Sequence, residues 1–422
     1  MEANMNIIDD LIARGLLDRC SNDEKVRTML EGKQTIYCGF DPSAESLQLG
    51  NFVMITMLRR LQLAGHRIIA VIGGGTGMIG DPSGKKSERS FLTEERVKHN
   101  VSCIKKQLEK YLDFSSNDKG LIVDNYDLWS KTSVIEYLRD YGKLFQINYM
   151  LDKDIVKSRL EVGISYAEFS YMILQSGDFL NLYKNYDCHM QIGGGDQWGN
   201  LTSSLDFVKR CLGNDIDAEV FTLKLITDAQ GKKFGKSESG ALYLDPKMTS
   251  PYKIYQYFMN TDDKSIEKFL KIFDYRPIAE IEAISQKHME NPGLRLGQKE
   301  LARVMVTSLH GEDKAEECKK MSEALFTGEY KTLSSEALEE LSNSFETLES
   351  NQSDTLINTL IQLKLASSRR EAREFLNAGS INVNGQVIKD ENYEINENNA
   401  LLGKYYFIKR GKKSFASLKL VK

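Results

Sequence analysis

The sequence has no run of about eighteen apolar residues, so no segment is suited to crossing a bilayer as a helix. Cysteine is sparse. Cys20, Cys38, Cys103, Cys188, Cys211 and Cys318 are scattered without paired spacing, which suggests neither a disulfide framework nor a zinc knuckle. No metal-ligating cluster is expected. The first ten residues carry early acids and lack a basic or apolar leader, so a cytoplasmic protein with reduced thiols is expected. Strong net charge is missing too: a formal −4 does not advertise a nucleic-acid binder. That average hides the end of the chain, where Lys404, Lys409, Arg410, Lys412, Lys413, Lys419 and Lys422 occur with no acid among them. Such a run is either a solvated face or a phosphate-contacting surface.

At 422 residues the chain is too long for one ordinary domain, and two or three are expected. Its most informative stretch is Gly193 to Asn200, Gly-Gly-Gly-Asp-Gln-Trp-Gly-Asn. Consecutive glycines let backbone lie against a ligand, and Asp196, Gln197 and Asn200 bring short hydrogen-bonding groups. A buried strand with Met190 and Ile192 precedes it, and residues 201–211 have the spacing of an amphipathic helix. Ligands of open parallel sheets bind where strand ends meet helix starts.

Taken in order, residues 7–17 read as a first helix and 35–40 as a buried strand ending in the turn Asp41-Pro42-Ser43. A helix follows from about Gly50, and that strand, turn and helix start together form an anion site. A second strand over 67–72 leads into Gly75, Gly77 and Gly80, which satisfy GxGxxG literally. Pro82 contradicts the helix opening that a dinucleotide fold requires there. A phosphate-cradling ATPase loop is also excluded, since Gln230 stands where the first glycine before Gly235-Lys236-Ser237 should be. Helical periodicity covers 93–111 and 134–141, with a strand at 121–125. In the helix over 166–183, Tyr171, Gln175 and Asp178 fall at i, i+4 and i+7, a polar stripe that suggests a pocket wall. After a strand over 221–226, the glycine- and lysine-rich residues 228–237 suit a mobile loop that folds over a polyphosphate.

From 249 to 325 the chain reads as helices only. Serine, threonine and glutamate enrichment over 327–354 reads as a linker. The last part has two short helices and an Asn384-Gly385 hairpin. Arg369, Arg370 and Arg373 share a helical face there, and with Lys409, Arg410, Lys412 and Lys413 they make RNA backbone the leading partner.

Four motifs, Tyr37-Cys-Gly-Phe-Asp-Pro42, Gly80-Asp-Pro-Ser-Gly-Lys-Lys-Ser-Glu-Arg89, Gln191-Ile-Gly-Gly-Gly-Asp-Gln-Trp-Gly-Asn200 and Lys233-Phe-Gly-Lys-Ser237, closely resemble the bacterial-type tyrosyl-tRNA synthetases, class I aminoacyl-tRNA synthetases. The resemblance covers nearly the whole chain. It implies an α/β fold with a Rossmann-like parallel-sheet catalytic domain (1–247), an all-α anticodon-binding domain (248–326), a linker (327–354) and a small α+β RNA-binding domain of the ribosomal protein S-four type (355–422). The implied reaction joins L-tyrosine and ATP into tyrosyl adenylate, releases pyrophosphate, and transfers tyrosine to the 3′ end of tRNA(Tyr), with Mg²⁺ on the ATP phosphates. A homodimer is expected, with residues 138–150 as the contact.

Carried over by position, the resemblance puts Tyr37 and Asp178 on the substrate hydroxyl. It puts Asp81, Tyr171 and Gln175 on its ammonium group and Gln191 and Gln197 on its carboxylate side. Cys38, Gly39, Asp41, Gly50, Gly194, Asp196 and Lys236 match ATP-lining positions; Lys85, Arg89, Lys233 and Lys236 are the matched catalytic cations. One signature departs: the family's histidine, apolar residue, glycine, histidine is here Gln48, Leu49, Gly50 and Asn51, with Ser43 for a threonine. An asparagine amide can stand in for an imidazole N–H, whereas Gln48 donates a hydrogen bond but never carries charge. Gln48 is expected to donate to the γ-phosphate. A scaffold that binds RNA without catalysis and a tryptophan-activating relative are the competing readings, and an indole would leave Tyr37 and Asp178 unsatisfied.

Overall fold

The computed structural model describes residues 6–83, 92–227, 231, 234–237, 240–411 and 414–421. Two compact units divide the chain. One comprises Met1–Met248 with Lys264–Gln286, and the other Thr249–Asp263 with Lys287–Lys422.

The first unit is built on a six-stranded sheet: β1 (Leu17–Cys20), β2 (Thr35–Phe40), β3 (Arg67–Ile72), β4 (Gly120–Asp124), β5 (Met190–Gly194) and β6 (Glu219–Leu223), in the order β1-β6-β5-β2-β3-β4. All neighbours are parallel except β1 and β6. The β2, β3, β5 and β6 sequences are almost continuously apolar and buried, as strands covered on both faces must be. Strand order reverses between β2 and β5, the topological switch point at which such sheets open a crevice. Here the opening is visible in the register. Strands β2 and β3 pair along all of β2, from Thr35↔Arg67 to Phe40↔Ile72, whereas β2 and β5 pair only at Ile36↔Met190 and Tyr37↔Gln191. Beyond Tyr37 the two strands part.

The expected first helix is shorter than the sequence suggests. It spans Ile7–Ala13, and Leu17 already belongs to β1, because Gly15 at φ +70° turns the chain and β1 gains ladder hydrogen bonds from β6. The segment over 134–141 opens as a helical turn, Val134–Glu136, and continues as a π-helix, Tyr137–Tyr141.

The all-helical stretch after 249 is divided between the units. Lys264–Gln286 belongs with the first, held by two arginines that cap the end of helix Ile266–Phe273. Arg14 donates to the carbonyls of Lys271 (3.0 Å), Asp274 (3.0 Å) and Arg276 (2.9 Å), and Arg60 to those of Ile272 (3.1 Å) and Asp274 (2.5 Å). Buried carbonyls at a helix end need such donors.

In the second unit, residues 327–354 do not form the expected linker. They contain helix Ser335–Ser342 and strand Thr347–Ser350, which pairs in parallel with Ser414–Leu420 as the edge of a five-stranded sheet. Most of the serines, threonines and glutamates that suggested a linker are exposed, but Tyr330, Leu333, Ala337, Leu338 and Leu341 are buried beneath them and a few polar groups are bonded to the sheet. Ser417 Oγ lies 3.0 Å from Ser342 Oγ and 2.7 Å from Thr347 Oγ1. Glu339 accepts from Lys404, Tyr405 and Lys419, and Tyr330 stacks on Phe407 with centroids 4.8 Å apart. The Asn384-Gly385 hairpin is as expected, both residues having positive φ.

Candidate active site

Where β2 and β5 part lies a cavity of about 490 Å³. Its back wall depends on glycine. A Cβ on Gly73 would fall 2.2 Å from Asp41 Oδ1, one on Gly74 2.1 Å from Asp124 Oδ1, and one on Gly77 2.8 Å from Pro42 Cδ. The glycine run that mimics a dinucleotide fingerprint is therefore a packing surface against which the Asp41-Pro42 turn is pressed. The turn is fixed further by Asn100, whose Nδ2 donates to the Pro42 carbonyl at 2.9 Å.

At the closed end stands Asp178, on helix Tyr166–Tyr186, with one oxygen accepting from Asn125 Nδ2 and the other from Trp129 Nε1, each at 2.8 Å. Burial pushes its carboxyl up to about 7, opposed by those two donors and reinforced by the negative charges of Asp41 and Asp124. Tyr37 is buried beside it, and its hydroxyl has no partner among the described residues. Burial first, and then Asp178, holds that phenol well above its ordinary pKa, so it is a neutral donor. An unsatisfied buried hydroxyl costs about 1–3 kcal/mol, which a polar ligand would recover.

Along the same helix, Tyr171 donates its hydroxyl to Asp41 Oδ2 at 2.9 Å, and Thr76 Oγ1 donates to Asp41 Oδ1 at 3.1 Å. Gln175 Oε1 is buried without a partner among the described residues. Opposite them Asp81 accepts from Gln197 Nε2 at 2.6 Å and from the Ser83 backbone N–H at 2.9 Å.

The mouth is formed by the start of helix Leu49–Leu63. Asn51 Oδ1 accepts the Gln48 backbone N–H at 3.0 Å, which leaves its Nδ2 as the group it can offer. The Leu49 N–H is taken by the Leu242 carbonyl at 2.7 Å, so this helix start offers an anion less than the sequence suggests. Gly235, at φ +81°, is seated so closely that a Cβ would lie 2.8 Å from the Gly50 nitrogen. That contact delivers Lys236 to the cavity. Phe234 roots the segment, packing on Phe269 and Phe273 with centroids 5.3 and 5.2 Å away.

A family model described as tRNA synthetases class I (W and Y) matches residues 29–327, and one for the tyrosine--tRNA ligase SYY-like C-terminal domain matches 337–418. Tyrosine--tRNA ligase 1 of Bacillus cereus is 45% identical over 416 residues, 97% of this chain and 99% of that protein. The tyrosine--tRNA ligase of Listeria monocytogenes is 43% identical over 413 residues, again 97% of this chain and 99% of its own. The chain belongs to the bacterial-type tyrosyl-tRNA synthetases. Among solved structures, a C-terminally truncated mitochondrial tyrosyl-tRNA synthetase from Aspergillus nidulans superposes with a TM-score of 0.68 at 30% identity, covering 77% of this chain and 95% of that one.

Of the positions matched to this synthetase family, Tyr37, Cys38, Gly39, Asp41, Ser43, Gln48, Gly50, Asn51, Asp81, Tyr171, Gln175, Asp178, Asp196, Gln197 and Lys236 all line the one cavity. Gln191 and Gly194 do not. Gln191 is buried in the sheet in register with Tyr37, its Oε1 without a partner among the described residues, and Gly194 lies in register with Leu223 at the end of β5. Lys85, Arg89, Lys233, Lys412 and Lys413 lie outside the described residues. Sequence reasoning missed Thr76, Asn125 and Trp129. The available signal was Asn125 itself, a polar residue just past the end of a parallel strand, where ligands are met. In the second unit Arg369 donates to Asn358 Oδ1 at 3.2 Å, Arg370 pairs with Glu374 and Arg373 with Glu391. Lys409 lies over the Phe415 ring, and Arg410 over Phe375 while donating to the Leu365 carbonyl. Among the described residues no group of three or more His, Cys, Asp or Glu could hold a metal.

Proposed function

We infer that the protein is an ATP-dependent tyrosine--tRNA ligase, and that the cavity holds tyrosine with its hydroxyl at the closed end. The observation that carries this is the Tyr37 hydroxyl, buried without a partner among the described residues beside a carboxylate already oriented by Asn125 and Trp129. A para-hydroxyl donates to Asp178 and accepts from Tyr37; phenylalanine would leave both unpaired. Asp81, Tyr171 and Gln175 receive the ammonium group, and Gln197 faces the carboxylate side.

ATP occupies the mouth, along Cys38, Gly39, Asp41, Gly50 and Asp196, bringing Mg²⁺ on its phosphates as part of the substrate. The tyrosine carboxylate attacks the α-phosphorus as the bond to pyrophosphate breaks. It is a nucleophile at neutral pH without a general base, so the protein's task is alignment and stabilisation of the leaving charge. Gln48, Asn51 and Ser43 donate hydrogen bonds there. Lys236 supplies charge, with Lys85, Arg89 and Lys233 as the other matched cations. The tyrosyl group then passes to the tRNA(Tyr) 3′ end, while Arg369, Arg370, Arg373, Lys409, Arg410, Lys412 and Lys413 hold RNA backbone.

The active form is a cytoplasmic homodimer. Support for the dimer comes from apolar side chains left in solvent around the expected contact, Val134 at 72%, Ile135 at 69% and Ile147 at 58% exposure. Pyrophosphate exchange into ATP is the direct test, with Mg²⁺ and with tyrosine, phenylalanine or tryptophan. Exchange with tyrosine alone is expected; no exchange while tyrosine still binds would leave an RNA-binding scaffold as the better reading.

A further inference from the structure

Asn200 is a buried amide with no part in the reaction described above. It sits in the first turn of helix Trp198–Leu212 and is fully buried, at 0% exposure. Its Nδ2 donates to Gln197 Oε1 at 3.1 Å and to Ser83 Oγ at 3.2 Å, while its Oδ1 has no partner among the described residues. Gln197, through Nε2, and Ser83, through its backbone N–H, both donate to Asp81, one to each carboxylate oxygen. Asn200 therefore stands directly behind both of them.

The direction of every bond in this set follows from what each group can do. A carboxylate accepts, so Gln197 must turn its NH₂ toward Asp81. That turns the Gln197 carbonyl oxygen toward Asn200, which must in turn present its own NH₂. Leaving the Asn200 acceptor idle in a buried site is unfavourable, and the side chain is explained by the use of its donor.

We propose that Asn200 is a positioning residue for substrate selection: it fixes the polarity of Gln197 and, with Ser83, aims the Asp81 carboxylate at the substrate's ammonium group. The inference rests on the reading that Asp81 receives that group. An isosteric Asn200→Asp change separates the role from simple packing. Ionised, aspartate keeps the shape but offers only acceptors, so Gln197 either opposes its carbonyl to a carboxylate at position 200 or turns round and opposes it to Asp81.

The test is equilibrium binding of L-tyrosine and of its deamino analogue, 3-(4-hydroxyphenyl)propionate, to the full-length protein and to its Asn200→Asp, Asn200→Ala and Asp81→Asn variants. The analogue keeps the ring, hydroxyl and carboxylate and lacks only the amine. Asn200→Asp is expected to weaken tyrosine about ten- to hundredfold, the scale of one mispaired buried group, and to leave the analogue within about twofold. Asn200→Ala should separate the two ligands in the same sense. In the Asp81→Asn background, Asn200→Asp should add nothing, because both act through one carboxylate. Equal weakening of both ligands by the Asn200 variants would make Asn200 merely structural, and no weakening would remove it from the site; either overturns the proposal. If Asp81→Asn itself fails to separate the ligands, the ammonium assignment is what falls.

Discussion

Replacing Asp178 by asparagine tests the electrostatics at the closed end of the cavity. Burial raises this carboxyl from an ordinary 3.8 to about 7, a difference worth about 4 kcal/mol between its two protonation states. The folded value lies above the unfolded one, so the associated stability is whole below about pH 4 and drains away as pH rises through about 7. Asparagine does not titrate. It turns one NH₂ against the donors Asn125 and Trp129, which lowers stability by about 1–3 kcal/mol at every pH. The signal is therefore the slope: from pH 4 to 8 the wild type should lose about 4 kcal/mol relative to Asp178→Asn, an upper figure for a site that admits any water. Trp129 gives a direct readout, because its indole N–H donates to Asp178 at 2.8 Å. Both tryptophans of the chain, Trp129 and Trp198, lie in the first unit, so urea unfolding followed by their emission reports on that unit. In a Trp198→Phe background, native emission should titrate with a midpoint near 7 and become flat once Asp178 is replaced. The phenolic O–H needs the ionised form as acceptor, so tyrosine affinity should fall about tenfold per pH unit below that midpoint. Emission that stays flat from pH 5 to 9 in the wild type, or that still titrates in Asp178→Asn, refutes the reasoning.

Gln48→Ala should slow adenylate formation about ten- to hundredfold, the value of one hydrogen bond to a charged group, without changing tyrosine affinity in stopped flow; an unchanged rate removes the phosphate role. Gly235→Ala places a methyl 2.8 Å from the Gly50 nitrogen at φ +81° and should displace Lys236, lowering kcat for pyrophosphate exchange more than it alters tyrosine binding. Burial alone would raise the Glu339 carboxyl, but Lys419, Tyr405 and Lys404 outweigh it and hold the group down at about 2. Its stability contribution is thus present above pH 4.5 and lost as pH falls toward 2, so Glu339→Gln should flatten the acid side of the second unit's unfolding profile, read by near-UV circular dichroism. Gly385→Ala drives a Cβ to 2.3 Å from the Gly328 carbonyl oxygen and should expose the chain after Thr327 to limited proteolysis, a cut the wild type resists.

Much of the cavity was legible because its chemistry is local in sequence. Tyr171, Gln175 and Asp178 share a helical face by spacing alone, and the glycines before Asp196 and Gln197 announce a close backbone approach. What was illegible is what only the tertiary fold brings together. Asn125 and Trp129 meet Asp178 across 49 or more residues of sequence, and nothing in their neighbourhood encodes that partner. The assignment of Lys264–Gln286 to the first unit is made by Arg14 and Arg60, two buried guanidinium groups more than 200 residues upstream. Residues 327–354 misled because the exposed polar residues that dominate the composition mask a buried strip of Tyr330, Leu333, Ala337, Leu338 and Leu341. Ser342, Thr347 and Ser417 satisfy one another's hydroxyls in the interior, so a polar stretch there adds to the packing of the sheet.

The neutral class I signature changes how charge must be distributed around the phosphates. A histidine can carry a proton to an anion; Gln48 and Asn51 bring dipoles only. One end of the Asn51 dipole is already used, since its Oδ1 holds the Gln48 N–H, and the Leu49 N–H is held by Leu242. Hydrogen bonding at this helix start is thus directed as much to its own first turn and to Leu242 as to any ligand. The positive charge that the protein itself offers a leaving pyrophosphate must then come from side chains, and among the described residues lining the cavity Lys236 is the cation. Such a division is chemically workable because adenylate formation needs no proton abstracted. A carboxylate attacks, pyrophosphate leaves, and a group that only aligns can be neutral so long as the cation is seated. The Gly235 contact with Gly50 provides that seating, and it joins the two class I motifs into one structural element.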